Sequence, residues 1–317
     1  MSEWTLVLRS RSAKVAGSIA LGLGLLTLGA LALLILGLAL PTTSALADKH
    51  DHDWDGPEKT GAPFHWSATV AAGKRLEVRG INGSIDAELA SGKDAVVDAV
   101  KTGHRSDPDE VKIEVTEEKD RVVICARYPG DGGQLQDCDG DGHGQSIHDN
   151  DVNVRYKVKV PAGVALVAKN VNGAISMEGL KGDVEASTVN GSVRVATSGT
   201  ASATTVNGSV LARIGKDLSD DLEFTTVNGR VRVEMPKAVN ADVRGSTVHG
   251  SIYTDFPLTI RGRGWGTNRV SGTIGKGGHD LVLTTVNGSI ELRSLDGKSS
   301  SKIVIDDSDD DDKGDFH

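Results

Sequence analysis

Residues 204–210 read Thr-Thr-Val-Asn-Gly-Ser-Val, and residues 225–231 read Thr-Thr-Val-Asn-Gly-Arg-Val. The same core returns as Val171-Asn172-Gly173, Val189-Asn190-Gly191, Val206-Asn207-Gly208, Val227-Asn228-Gly229 and Val286-Asn287-Gly288. Two copies keep the frame without the Asn, Val248-His249-Gly250 and Val270-Ser271-Gly272, and an outlying copy, Ile81-Asn82-Gly83, lies far upstream. From Gly173 onward the glycines are separated by 18, 17, 21, 21, 22 and 16 positions. That period suits one coil of a β-solenoid and is too short for a propeller blade.

Side-chain alternation places strands on both sides of each Asn-Gly. The second position after the Gly is Ile or Val throughout: 85, 175, 193, 210, 231, 252, 274 and 290. Arg194, Arg230 and Arg232 alternate with these, while Leu222, Phe224 and Thr226 alternate before the turn. Period two with β-branched residues inward is the pattern of a half-buried strand. Asn-Gly between such strands also signals a type I′ hairpin, so an antiparallel β-hairpin array is the alternative architecture. The Asn slot, however, accepts His249 and Ser271 while the Gly slot never varies. A type I′ turn needs positive φ at both central residues, whereas a corner with one left-handed Gly needs it only once. The reading is therefore an all-β, β-solenoid or β-helix-like stack of coils of about 16–22 residues. Stacking would bring equivalent Asn side chains about 4.8 Å apart, close enough for their amides to pair in a ladder.

The remainder divides around this array. Residues 63–160 are rich in strand-like runs (74–79, 95–102, 111–116, 121–128 and 152–160) and are expected to cap the stack, whose open end would otherwise expose unpaired edges. Pro161-Ala162-Gly163 marks the junction with the array at 161–295. Residues 48–62 and 296–317 are acidic, nearly free of apolar side chains and expected to be disordered.

Arg9, Arg11 and Lys14 precede an uncharged run from Val15 to Leu40, followed by Pro41 and the small-x-small triplet Ala45-Leu46-Ala47. That order is a secretory signal peptide over residues 1–47, and its long apolar run would also serve as an uncleaved membrane anchor. An exported address follows, in the periplasm or at the cell surface. The chain carries 35 Lys and Arg against 44 Asp and Glu, and its net charge of −9 without a basic stripe excludes a nucleic-acid partner. Only 11 of its 317 residues are aromatic against 39 Gly, which suits a thin core of small β-branched residues. Two cysteines in an exported chain favour a disulfide, Cys125 with Cys138, worth roughly 3 kcal/mol through the loop it closes.

The T-V-N-G-S-[VI] units, the exported N-terminus and the cysteine loop before the array resemble the bacterial putative-adhesin family of unknown function. The resemblance covers roughly residues 64–295. It implies an extracytoplasmic β-solenoid-like domain with a proposed adhesive role and no common catalytic residues.

Signatures of chemistry are sparse. There is neither a G-x-S-x-G elbow nor an H-E-x-x-H helix, and Gly297-Lys298-Ser299 lacks the leading Gly of a phosphate loop. Asp137, Asp139 and Asp141 match half of a calcium loop, but His148 stands where the bidentate Glu belongs. His50 and His52 lie among acids in the N-terminal tail. No cofactor or resident metal is expected. Arg261, Arg263 and Trp265, with Arg269 beyond, form the one basic stretch with an aromatic, suited to an anionic sugar polymer. Outward Arg194, Arg213, Arg230 and Arg232 would extend that surface. The expected function is a non-enzymatic envelope adhesin or scaffold whose partner is a cell-surface glycan or envelope protein, touching membrane only through an uncleaved N-terminus. The alternatives are a polysaccharide-active β-helix enzyme and a membrane-anchored envelope-stress sensor.

Overall fold

The computed structural model describes residues 56–130, 133–136, 150–215, 218–260, 263–264, 267–295 and 304–305. The N-terminal strands are β1 (Lys59–Thr60), β2 (Phe64–Thr69), β3 (Arg75–Arg79), β4 (Ile85–Leu89), β5 (Asp94–Gly103), β6 (Lys112–Glu117), β7 (Arg121–Arg127) and β8 (Asn153–Val160). The array continues with β9 (Ala165–Lys169), β10 (Ile175–Leu180), β11 (Val184–Asn190), β12 (Val193–Thr197), β13 (Ala201–Asn207), β14 (Val210–Ile214), β15 (Leu222–Asn228) and β16 (Val231–Met235). It ends with β17 (Ala241–His249), β18 (Ile252–Thr254), β19 (Thr259–Ile260), β20 (Arg263–Gly264), β21 (Thr267–Ile274), β22 (Asp280–Asn287), β23 (Ile290–Ser294) and β24 (Val304–Ile305).

Two 11-stranded sheets face one another. The first runs β1-β5-β8-β4-β10-β12-β14-β16-β23-β18, with β2 also on β5; the second runs β20-β21-β17-β22-β15-β13-β11-β9-β3-β7-β6. Each rung contributes one strand to each sheet and turns between them at the repeated corner. Pairing along the stack is parallel, as when Val193, Val210, Val231 and Ile290 stand in one row. That is the solenoid, not the hairpin array. Hairpin-type antiparallel pairs occur where the stack is capped: β5 on β8, β6 on β7 and β21 on β17. They occupy backbone edges that would otherwise recruit further strands.

The inward residues are small and apolar, with Val193, Val195, Ala203, Val210, Ala212, Val231 and Val233 all at most 1% exposed. Tyr128, Tyr156 and Phe224 are the largest fully buried side chains. A core two side chains thick has little room for more rings.

Chain order is not stacking order. The last rung, β22 with β23, sits between the rung β15/β16 and the rung β17/β18, pairing in parallel with both. Its Leu281, Leu283, Ile290 and Leu292 are fully buried. Leu283 stands beside Phe224 on one side and Gly245 on the other. A Cβ on Gly245 would come within 2.7 Å of Val270, whose side chain closes the core over that glycine. The bulkier rung therefore belongs inside the stack and the glycine-bearing rung at its end.

Several expectations are corrected. Ser271-Gly272 is no corner: both lie within β21, opposite Arg244 and Val243 on the antiparallel β17. The region expected to be disordered at 48–62 becomes ordered before its end, since Lys59–Thr60 pairs with β5 and Ala62 N–H donates to Asp109 at 2.8 Å. Within 296–317, Val304–Ile305 pairs with Thr259–Ile260. The outlying copy Ile81-Asn82-Gly83 turns out to be a corner of the same ladder, with Asn82 bridged to Asn172.

Candidate ligand-binding face

The corners come first, because they hold the faces in register. From Asn172 onward each Asn amide donates to the Asn of the neighbouring rung: Asn172 to Asn82 at 2.9 Å, and Asn190 to Asn172, Asn207 to Asn190 and Asn228 to Asn207 at 2.8 Å each. Asn287 donates to Asn228 at 2.7 Å, so the ladder follows stacking order and not chain order. His249 stands opposite Asn287 and ends it.

The Thr before each Val-Asn-Gly has a role that pattern reading passed over. Its hydroxyl donates to the corner Gly carbonyl of the adjacent rung: Thr188 to Gly173 (3.1 Å), Thr205 to Gly191 (2.8 Å), Thr226 to Gly208 (2.8 Å), Thr285 to Gly229 (2.9 Å) and Thr247 to Gly288 (2.9 Å). In the Asn172 rung, Asn170 takes that place and donates to the Gly83 carbonyl at 2.6 Å. The donating Thr and Asn residues are buried, and each bond satisfies both its own polar group and a corner carbonyl. The Thr recurring at an inward position two residues before most corner Asn residues was the available signal.

The invariant Gly is explained differently from the single left-handed corner expected. Gly83, Gly173 and Gly288 do have positive φ, at 119°, 149° and 157°, but Gly191, Gly208, Gly229 and Gly250 do not share it. What all of these corners share is close approach. A Cβ on Gly208 would sit 2.1 Å from the Gly191 carbonyl oxygen, and one on Gly229 1.9 Å from that of Gly208. Glycine is required because the backbones of successive corners stack directly on one another.

On the outer side of the first sheet, Ser176, Arg194, Leu211, Arg232, Glu291 and Tyr253 form one row across the rungs. Ser192, Ser209 and Arg230 lie nearer the corners. A shallow concavity of about 380 Å³ is lined by Ser176, Ser192, Arg194, Ser209, Leu211, Arg230 and Arg232. A second, of about 250 Å³, adjoins it along Glu178, Arg194, Leu211 and Arg213. The structure thus brings together the four outward arginines singled out from the sequence. Arg213 pairs with Glu234 at 2.9 Å, Arg230 with Glu291 at 3.1 Å, and Arg232 with Glu234 at 3.0 Å. Arg194 is 62% exposed and its nearest carboxylate, Glu178, is 4.0 Å away. Arg194 is the member best placed to exchange its carboxylate for an incoming anion.

Arg269 does not join this group. It lies on β21 in the second sheet, opposite Ser246. Arg263 lies on β20, and Arg261 and Trp265 fall outside the described residues. So do Cys138, Asp137, Asp139, Asp141, the His50/His52 pair, Gly297-Lys298-Ser299 and the signal segment at 1–47. Cys125 is buried on β7, opposite Glu114 of β6.

Among the described residues, Asp220, Asp221 and His279 have ligating atoms within 4.8 Å of one another. All three are exposed, and an Asp221 oxygen already accepts the Asp280 N–H at 2.9 Å. No helix among the described residues is long and apolar enough to cross a membrane.

Two carboxylates near the cap are held by their surroundings. Burial would raise the Glu77 carboxyl, but Arg79 at 2.7 Å and Lys169 at 3.5 Å hold it below its ordinary value. Burial also opposes ionisation of Asp151, yet N–H donation from Arg105, Ser106 and His104, at 2.8–3.0 Å, holds its pKa well below the usual carboxylate range.

Residues 168–293, from β9 through β23, match the family model described as Toastrack DUF4097. The array thus resembles a Toastrack domain. The Toastrack match covers less than half of the chain and leaves out the rung β3/β4 and the cap. The chain is similar to a "putative cell adhesion protein" from Clostridium sporogenes, at 11% identity over 74% of this chain and 100% of that one, with a TM-score of 0.43. It is also similar to a "putative adhesin" from Bacteroides fragilis, at 9% identity over 74% and 97% of the two chains, with a TM-score of 0.28. No curated protein matches it.

Proposed function

We propose that this is an exported, non-enzymatic envelope protein whose Toastrack-like array presents the arginine–serine face to an acidic glycan, in adhesion or as a scaffold. The observation that carries the proposal is the concavity in which Arg194, Arg230 and Arg232 surround Leu211 and a row of serine hydroxyls. An apolar floor takes the carbon face of a sugar ring, guanidinium groups take its carboxylate, and hydroxyls take its hydroxyl groups. The secretory pattern of residues 1–47 supports export, and export supports the Cys125–Cys138 bridge.

The test is titration of the mature chain against polygalacturonate and an uncharged glucan. Binding to the acidic polymer, weakened by salt and reduced about tenfold or more by Arg194→Ala, is expected. Equal binding to both polymers, or an Arg194→Ala variant with full affinity, would sink the proposal. Protease digestion of the array on intact cells would separate a surface adhesin from a periplasmic scaffold.

A further inference from the structure

Asn-Gly is the dipeptide most prone to spontaneous deamidation, because nothing on Gly hinders its nitrogen. That nitrogen attacks the Asn Cγ and forms a succinimide; the C–N bond of the side-chain amide breaks, and ammonia leaves carrying the N–H proton. Water then opens the ring to aspartate or isoaspartate. An exported repeat built on six Asn-Gly corners carries this hazard six times over.

In the stack, every one of those six nucleophiles is engaged. The N–H of Gly83 donates to the Asn172 carbonyl (2.9 Å), Gly173 to Asn190 (2.7 Å), and Gly191, Gly208 and Gly229 to Asn207, Asn228 and Asn287 (3.0 Å each). Gly288 donates to the His249 carbonyl at 2.9 Å. The Asn amides themselves are tied into the ladder. The Gly N–H always donates toward the next rung in the direction of His249, so at the last corner it has no further corner to donate to. Its corner is His249-Gly250, and among the described residues none accepts from the Gly250 N–H.

Stability alone would favour Asn at this position. An amide there could donate to the Asn287 side-chain oxygen, which has no donor among the described residues, and so lengthen the ladder by one bond. Histidine gives that up, and imidazole has no amide to lose.

We propose that the six Asn-Gly corners are latent deamidation sites closed by inter-rung hydrogen bonding, and that His249 occupies the one corner where this protection is missing. Deamidation thereby marks molecules whose rungs have parted. The carboxylate it creates cannot donate to its neighbour, so the damaged ladder does not reclose.

The experiment ages full-length wild-type and His249→Asn protein at mildly alkaline pH, natively and in urea, and maps amide-to-acid conversion by peptide mass spectrometry. In native samples, position 249 of the variant is expected to convert at close to its rate in urea. The six natural corners should lag their own urea rates by about tenfold or more, as local opening becomes limiting. Native corners converting as fast as in urea, or position 249 as slow as they are, would overturn the proposal. Hydrogen exchange on the wild-type protein tests the same shield without a substitution. Gly250 N–H should exchange freely while Gly191, Gly208 and Gly229 are protected, and equal rates would refute the proposal.

Discussion

Replacing Gly208 by Ala tests the reading of the corners most directly. Gly208 does not have positive φ, so backbone conformation alone gives Ala no penalty there. The added Cβ would lie 2.1 Å from the Gly191 oxygen and 2.5 Å from its carbonyl carbon, both backbone atoms held by strand pairing. Relief requires the two rungs to part at the corner. That strains three bonds: Gly191 N–H to Asn207 (3.0 Å), Asn207 to Asn190 (2.8 Å) and Thr205 to Gly191 (2.8 Å). At about 1 kcal/mol each, with overpacking strain of roughly 1–3 kcal/mol, the loss is about 4–6 kcal/mol. Urea unfolding followed by circular dichroism reads it as a lowered midpoint. Gly208→Asn separates this mechanism from a left-handed corner, where Asn would be tolerated. Here it should cost as much as Ala. Gly215→Ala is the control, since its Cβ would meet nothing within 4 Å and its effect should stay within about 0.5 kcal/mol. A Gly208→Ala variant losing less than about 1 kcal/mol, or a Gly208→Asn variant much milder than Ala, would refute the close-approach account.

Thr226→Val keeps the shape of the side chain but leaves the Gly208 carbonyl without its 2.8 Å partner, so a loss of about 1–2 kcal/mol in urea unfolding is expected. The folded pKa of Glu77 lies below its unfolded value, so the stability it contributes is present above about pH 4.3 and lost as pH falls through the folded pKa. Urea midpoints measured from neutral to acid pH should therefore fall more steeply for wild type than for Glu77→Gln. Asn228→Asp places a carboxylate where an amide donates to the Asn207 oxygen at 2.8 Å, and a loss of about 1–3 kcal/mol is expected by the same unfolding assay.

The sequence by itself determined the all-β class, the coil period, the amide ladder and every corner except the one wrongly assigned to Ser271-Gly272, because these follow from local pattern. Alternation sets which side chains point inward, and an invariant Gly with a recurrent Asn marks where every coil turns. It also singled out Arg194, Arg213, Arg230 and Arg232, since outward positions on one strand face can be counted. Three matters belonged to the tertiary structure. The order of the rungs depends on which inward side chains fit together: Leu283 fits against Phe224, while Gly245 needs Val270 to fill its space. Ser271-Gly272 has the frame of a corner but not its neighbours, and antiparallel pairing with β17 makes it part of a strand. The reason for Gly is a distance between rungs, and no residue's own sequence neighbours carry that information. Local pattern specifies what a coil is; only packing between coils specifies which coil lies next to which.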